Sequence, residues 1–123
     1  MDQIQNPKLY DLEERITNFS EHLIELCKKT SKNPITLPIV DQLMRSGTSI
    51  GANYFEANGA SSKKDFKNEI FICKKEAKET QYWLRLLAQS IDDENLKQDC
   101  RKLWQEAKEL GMIFSSIASK TGV

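Results

Sequence analysis

The chain has 123 residues, 39% of them hydrophobic, 8% aromatic and 29% charged, enough apolar material for one core and too little length for two. Eighteen Lys and Arg balance eighteen Asp and Glu, so net charge gives no reason to expect a nucleic-acid or membrane partner and only local patterning can speak. No run approaches the roughly 18 apolar residues of a membrane span, and the opening stretch MDQIQNPKLYDLEE lacks the cationic and apolar regions of a secretion signal. One soluble cytoplasmic domain, 1–123, is therefore expected. Cys27, Cys73 and Cys100 are far apart and show no paired spacing, which reads as reduced core thiols rather than a zinc site or a disulfide framework.

All three prolines lie before position 39, so the rest of the chain is free of the strongest helix breaker. Asn6 followed by Pro7 has the form of a capping residue and a first-turn proline. The first helix is expected over about 7–30, with Leu9, Leu12, Ile16, Phe19, Leu23 and Leu26 spaced alternately by three and four along one face. SKNPITLP, residues 31–38, carries two prolines and polar turn formers and reads as a reversing loop. A second seam of Val40, Leu43, Gly47, Ile50, Tyr54 and Ala57 predicts a helix over about 38–58, closed by a left-handed Gly59. Ser62 with Asp65 resembles a capping box for a third helix, 62–90, whose seam is Phe66, Ile70, Cys73, Ala77, Thr80, Leu84 and Leu87. Asp92 is read as the cap of a fourth, 92–119, with Leu96, Cys100, Leu103, Ala107, Leu110, Phe114 and Ile117. Four helices of similar length with short links predict an all-α, antiparallel up-down-up-down four-helix bundle. Gly47 and Gly51, four residues apart, read as a place where two helices approach closely.

Several chemistries lack their residues. A di-iron bundle needs two Glu-x-x-His motifs, whereas His22 is the one histidine and sits off the first seam. A Cys–His nucleophile would have to recruit that same His22, and no glycine-rich phosphate loop occurs. An enzyme built on Arg45, Asn53 and Glu79 would have no positioned nucleophile. No catalytic residue, metal or cofactor is expected.

The charge pattern is more informative. Lys63, Lys67, Lys74, Lys78 and Arg85 fall on one flank of the third helix without an interrupting acid. Lys97, Arg101, Trp104 and Lys108 share a face of the fourth, placing an indole among cations as a stacking platform. The competing reading is a solvated lysine face with Trp104 packed beneath the lysine stems. Glu14, Glu21 and Glu25 form an acidic line on the first helix, which could meet a basic line of another copy and close a ring. Phe71 and Tyr82 lie nearly opposite the third seam, with Ile72, Trp83 and Leu86 beside it, a pattern that points to an interface or, for Trp83 above all, to a broad stripe wrapping further into its own bundle.

The stretch Arg45-Ser46-Gly47-x-Ser49-Ile50-x-Ala52-Asn53, then Glu56, Asp65-Phe66 and Lys75-Glu76-Ala77-x-Glu79-Thr80-x-Tyr82-Trp83-Leu84, resembles the bacterial four-helix-bundle proteins encoded in intervening sequences of 23S rRNA genes, also described as ribosomal proteins. It departs from many of them in having Gly51 where they have Pro and Ala57 where they have Gly. The resemblance extends over nearly the whole chain. It implies a non-catalytic ring, a homopentamer, associated with RNA. A more distant similarity to the accessory protein of diversity-generating retroelements implies a nucleic-acid-associated partner. The residues thus nominated for RNA are Lys63, Lys67, Lys74, Lys78, Arg85, Lys97, Arg101, Trp104 and Lys108. Arg45, Ser49, Asn53, Glu56, Glu76, Glu79, Tyr82 and Trp83 are nominated as the family signature and interface, with Arg45 expected to pair with Glu76 or Glu79. The alternative is a structural homo-oligomer or protein adaptor that contacts no nucleic acid.

Overall fold

The computed structural model describes residues 7–121, with side chains from residue 12 onward. Four helices form, α1 (Pro7–Lys29), α2 (Thr36–Asn58), α3 (Lys63–Ser90) and α4 (Glu94–Lys120), and no strand occurs among the described residues. The expected Asn6 cap and the Leu9 side chain lie outside them. Each helix turns its three-and-four seam inward. Leu12, Ile16, Phe19, Leu23 and Leu26 of α1 are buried, as are all six seam positions of α2 and the stretch Ile70 to Leu87 of the α3 seam. Phe66, Leu96 and Ile117, at seam ends, are only partly buried against this core. The largest fully enclosed rings are Tyr54, Phe19 and Phe114; Tyr54 and Phe114 meet at 6.2 Å between centroids.

The register of contacts gives the topology. Gly47 lies against Leu23 and Gly51 against Ile16, so α1 and α2 run oppositely. Ser46 bonds Thr80 and the Ile50 carbonyl accepts from Cys73, which sets α2 antiparallel to α3, and Gly111 beside Ala77 continues the alternation. Neighbours in sequence are neighbours in space. Among the described residues the diagonal pairs, α1 with α3 and α2 with α4, make no close backbone approach, and α3 packs far more extensively on α2 and α4 than α1 does on either neighbour.

Three helix ends differ from their expected form. α2 begins at Thr36 rather than Pro38, because Asn33 acts as an Asn cap: its Oδ1 accepts the N–H groups of Ile35 and Thr36 at 2.8 and 2.9 Å. Pro34, directly after that cap, takes the position where no intrahelical donor is needed, and the Leu37 N–H already bonds the Asn33 carbonyl at 2.9 Å. Gly59 is not left-handed; at φ −101° and ψ 9° it ends the helix through a tight turn in which its N–H bonds the Glu56 carbonyl at 3.0 Å. Asp93, not Asp92, caps α4, accepting from the Leu96 N–H at 3.0 Å. Ser62 does cap α3, accepting from the Asp65 N–H at 3.0 Å.

All three cysteines are buried. Burial pushes the Cys27 thiol up to about 11 and those of Cys73 and Cys100 up to about 12, leaving them protonated and unreactive at neutral pH. At about pH 8 a thiol reagent such as dithiobisnitrobenzoate is expected to leave the native protein unmodified and to titrate all three after denaturant is added. Because the folded values are raised, the unfolded thiols ionise first, so the contribution these groups make to stability is full below about pH 9 and is lost as pH rises toward about 12.

Candidate nucleic-acid interface

The two basic flanks nominated from sequence meet. Antiparallel packing of α3 on α4 brings Arg85 opposite Lys97 and Arg101 around one cavity of about 380 Å³, floored by Leu84, Cys100 and Trp104. Further along the same seam Lys74 and Lys78 stand opposite Lys108 around a second cavity of about 210 Å³. Six cations from two helices thus line two successive cavities that make up the α3–α4 groove, and among the described residues no carboxylate lines either one. Lys63 is exposed at the start of α3, and Lys67 sits 6.0 Å from the centre of the Phe71 ring. Lys63 and Arg85 are 22 residues apart, so at 1.5 Å per residue the cationic flank of α3 runs for about 33 Å.

Trp104 takes a different place from the free platform expected. Its ring is packed in part against the core, which takes up surface that a free platform would offer, and Lys108 Nζ stands 5.7 Å from its centre, supported by the indole. Arg101 is exposed and shares its charge with Glu94 at 3.3 Å. The rings that do face outward on α3 are Phe71 and Tyr82.

The signature residues gather on the other flank of α3, against α2. The Arg45 guanidinium bonds Glu79 and lies 3.4 Å from Glu76, while its Nε donates to Gln42 at 2.9 Å. Trp83 donates its indole N–H to the same Glu79 carboxylate at 2.9 Å, and its ring meets that of Tyr82 edge-on at 4.9 Å. Ser49 and Asn53 turn back on their own helix, donating to the carbonyls of Ser46 and Ser49 at 3.0 and 2.7 Å. Below them the buried Thr80 hydroxyl is bonded both to Ser46, at 3.0 Å, and to the Glu76 carbonyl, at 2.7 Å.

A family model for the 23S rRNA-intervening sequence protein matches residues 10–116. The chain belongs to that family. A solved relative, a crystal structure of a protein with unknown function from the S23 ribosomal protein family of Bacteroides thetaiotaomicron, is similar to it with 31% identity and a TM-score of 0.74. That likeness covers 87% of this chain and 97% of the other. Among curated proteins none matches.

In this member of the 23S rRNA-intervening sequence protein family, two clusters were not foreseen from sequence. Arg15 of α1 holds Glu106 through two bonds of 2.6 and 2.9 Å and Glu109 through one of 2.6 Å, a clasp to α4 that raises the guanidinium above its ordinary value. Hydrogen bonds from Gln105 and then from Arg15 hold the Glu109 carboxyl below the usual range. Beyond the clasp, α1 and α4 part around a groove of about 620 Å³ whose floor is Phe19, Leu26 and Leu103 and whose rim mixes both signs, with Glu25, Lys29, Asp99 and Lys102 beside His22. The second cluster is a carboxylate pair, Glu56 on α2 and Glu69 on α3. One oxygen of Glu69 is buried with no donor. Desolvation first, and the charge of Glu56 second, push its carboxyl up.

A carboxyl whose folded value lies above its unfolded one favours folding when protonated, and that contribution is lost as pH rises through the raised value. Glu69→Gln removes the charge and supplies a donor. At neutral pH this substitution is expected to raise the thermal midpoint above that of the unvaried chain, and the gap is expected to close toward about pH 4. Melting curves at both pH values check this. Among the described residues no group of His, Cys, Asp and Glu is arranged to hold a metal ion, and no helix is long and apolar enough to cross a membrane.

Proposed function

We propose that this chain is a non-catalytic, cytoplasmic interaction protein that binds RNA along the α3–α4 groove. The observation carrying the reading is the segregation of charge. In a chain of zero net charge, six cations from two helices converge on one seam, and among the described residues no acid lines its two cavities. Such a strip matches the backbone of a polyanion, which supplies affinity without requiring base recognition. Reversal by Lys74→Glu with Lys78→Glu tests it. Retention of labelled RNA on filters is expected to drop to background with helicity unchanged; undiminished retention would overturn the proposal.

The same reading includes assembly of identical copies into a ring, five of them as the family resemblance implies. Two observations support it. Glu14, Glu21 and Glu25 are exposed on α1, diagonally across the bundle from α3, so unlike charges can meet between copies. In addition Ile24 of α1 and Leu37 and Phe55 of α2 remain exposed on the side away from the cationic groove, where a neighbouring subunit would cover them. The native mass, with and without RNA, measures the number of copies.

A further inference from the structure

Resting on the groove reading above, we propose that the RNA taken up is single-stranded, with unpaired bases stacking on Phe71 and Tyr82. Both rings are about half exposed, at 48% and 55%. Eleven residues separate them, close to three whole turns, so they stand on one stripe of α3 about 16 Å apart. The stripe borders the cationic flank. Lys67 lies one turn before Phe71 with its Nζ over one part of the ring, 6.0 Å from its centre, so a base takes the half of that ring left exposed, and Lys78 lies one turn before Tyr82.

Neither ring is used by its own bundle as a core element. Tyr82 is supported on one side: its ring meets Trp83 edge-on, the Trp83 N–H bonds Glu79, and the Glu79 carboxylate pairs with Arg45. Trp83 thus backs an exposed aromatic face, which limits the rotamers lost when a base lies on it. Paired bases hide their faces inside the stack, and the deep, narrow major groove of duplex RNA excludes side chains. An aromatic face beside a phosphate track is useful only to bases that are splayed out, and it tolerates any sequence because every base has a π-face.

The test compares a short labelled oligouridylate with a blunt RNA duplex of equal length, by fluorescence anisotropy at fixed salt. The unvaried protein is expected to bind the oligouridylate more tightly than the duplex. Phe71→Ala and Tyr82→Ala are each expected to weaken oligouridylate binding about 10-fold or more while leaving duplex binding and the salt dependence unchanged, and Phe71→Trp is expected to retain it. Both positions are on the surface, so melting curves should show folding intact. Equal affinity for duplex and single strand, or unchanged oligouridylate affinity in both alanine variants, overturns the stacking; if the Lys74→Glu with Lys78→Glu protein meanwhile fails to bind, the groove reading survives alone. Absence of binding to either RNA removes both. A fall in native mass in the alanine variants would make these rings subunit contacts and overturn the inference.

Discussion

Between roughly 50 and 200 mM monovalent salt, affinity for single-stranded RNA is expected to fall about 300-fold. Six cations line the α3–α4 groove, and each phosphate neutralised on a single strand contributes about −0.7 to the slope of log affinity against log salt. A fourfold rise in salt acting on six contacts gives that loss. The double substitution Lys74→Gln with Lys78→Gln leaves four contacts, so the same rise is expected to cost only about 50-fold. The change in slope matters more than the change in affinity, because a merely destabilised protein would bind less at every salt concentration with the same steepness. A slope near zero would mean that the six cations serve the fold or subunit contacts and meet no phosphate.

Gly47→Val is expected to destabilise the bundle by about 3 kcal/mol, the upper part of the range for overpacked cores. A β-carbon built at Gly47 would lie 2.1 Å from Leu23 Cδ2 and 3.7 Å from the Thr80 methyl, and Leu23 is fully buried with nowhere to turn. Replacing glycine within a helix would ordinarily help by a few tenths to about 1 kcal/mol, too little to offset a clash of that size. Leu23→Ala alone should cost about 2–5 kcal/mol through its cavity. Combined, the two changes fill each other's defect, and the double variant is expected to be more stable than the sum of the single effects by about 2 kcal/mol. Chemical denaturation of the four proteins of the cycle measures it. Strict additivity would show that α1 and α2 do not meet at this glycine.

The core was legible because burial on a helix follows a spacing that any sequence displays. From Leu12 to Leu26 and from Ile70 to Leu87 the alternation of three and four is also the list of enclosed side chains. The ends were less so. Asn33-Pro34 repeats the Asn6-Pro7 signature, but two prolines within five residues masked it as a loop, and tandem Asp92-Asp93 gave no local reason to prefer the second. The convergence of the basic flanks followed from topology, since α3 and α4 are joined by a short link. Which face of Trp104 stays open did not follow, because the lysine that covers it and the core beneath it are set by packing. The Arg15 clasp to Glu106 and Glu109 spans more than ninety positions, and its partners depend on the height at which α1 docks, which no spacing within α1 records. The Glu56–Glu69 pair was hidden for the same reason.

The uneven knitting of the four helices also says where the molecule breathes. Besides its buried seam, α1 is joined to α2 through the glycine cradle and a hydrogen bond from Asn58 to Glu13 and to α4 through one arginine clasp, with an open groove beyond it, whereas α3 is gripped along its length from both sides. Sub-global opening draws on the least secured segment, so amide exchange is expected to be faster in α1 than in α3. The three remaining helices include both walls of the cationic groove. The faster exchange is thus expected on the side of the bundle opposite the strand it is proposed to hold, so that a grip on RNA can outlast loosening behind it.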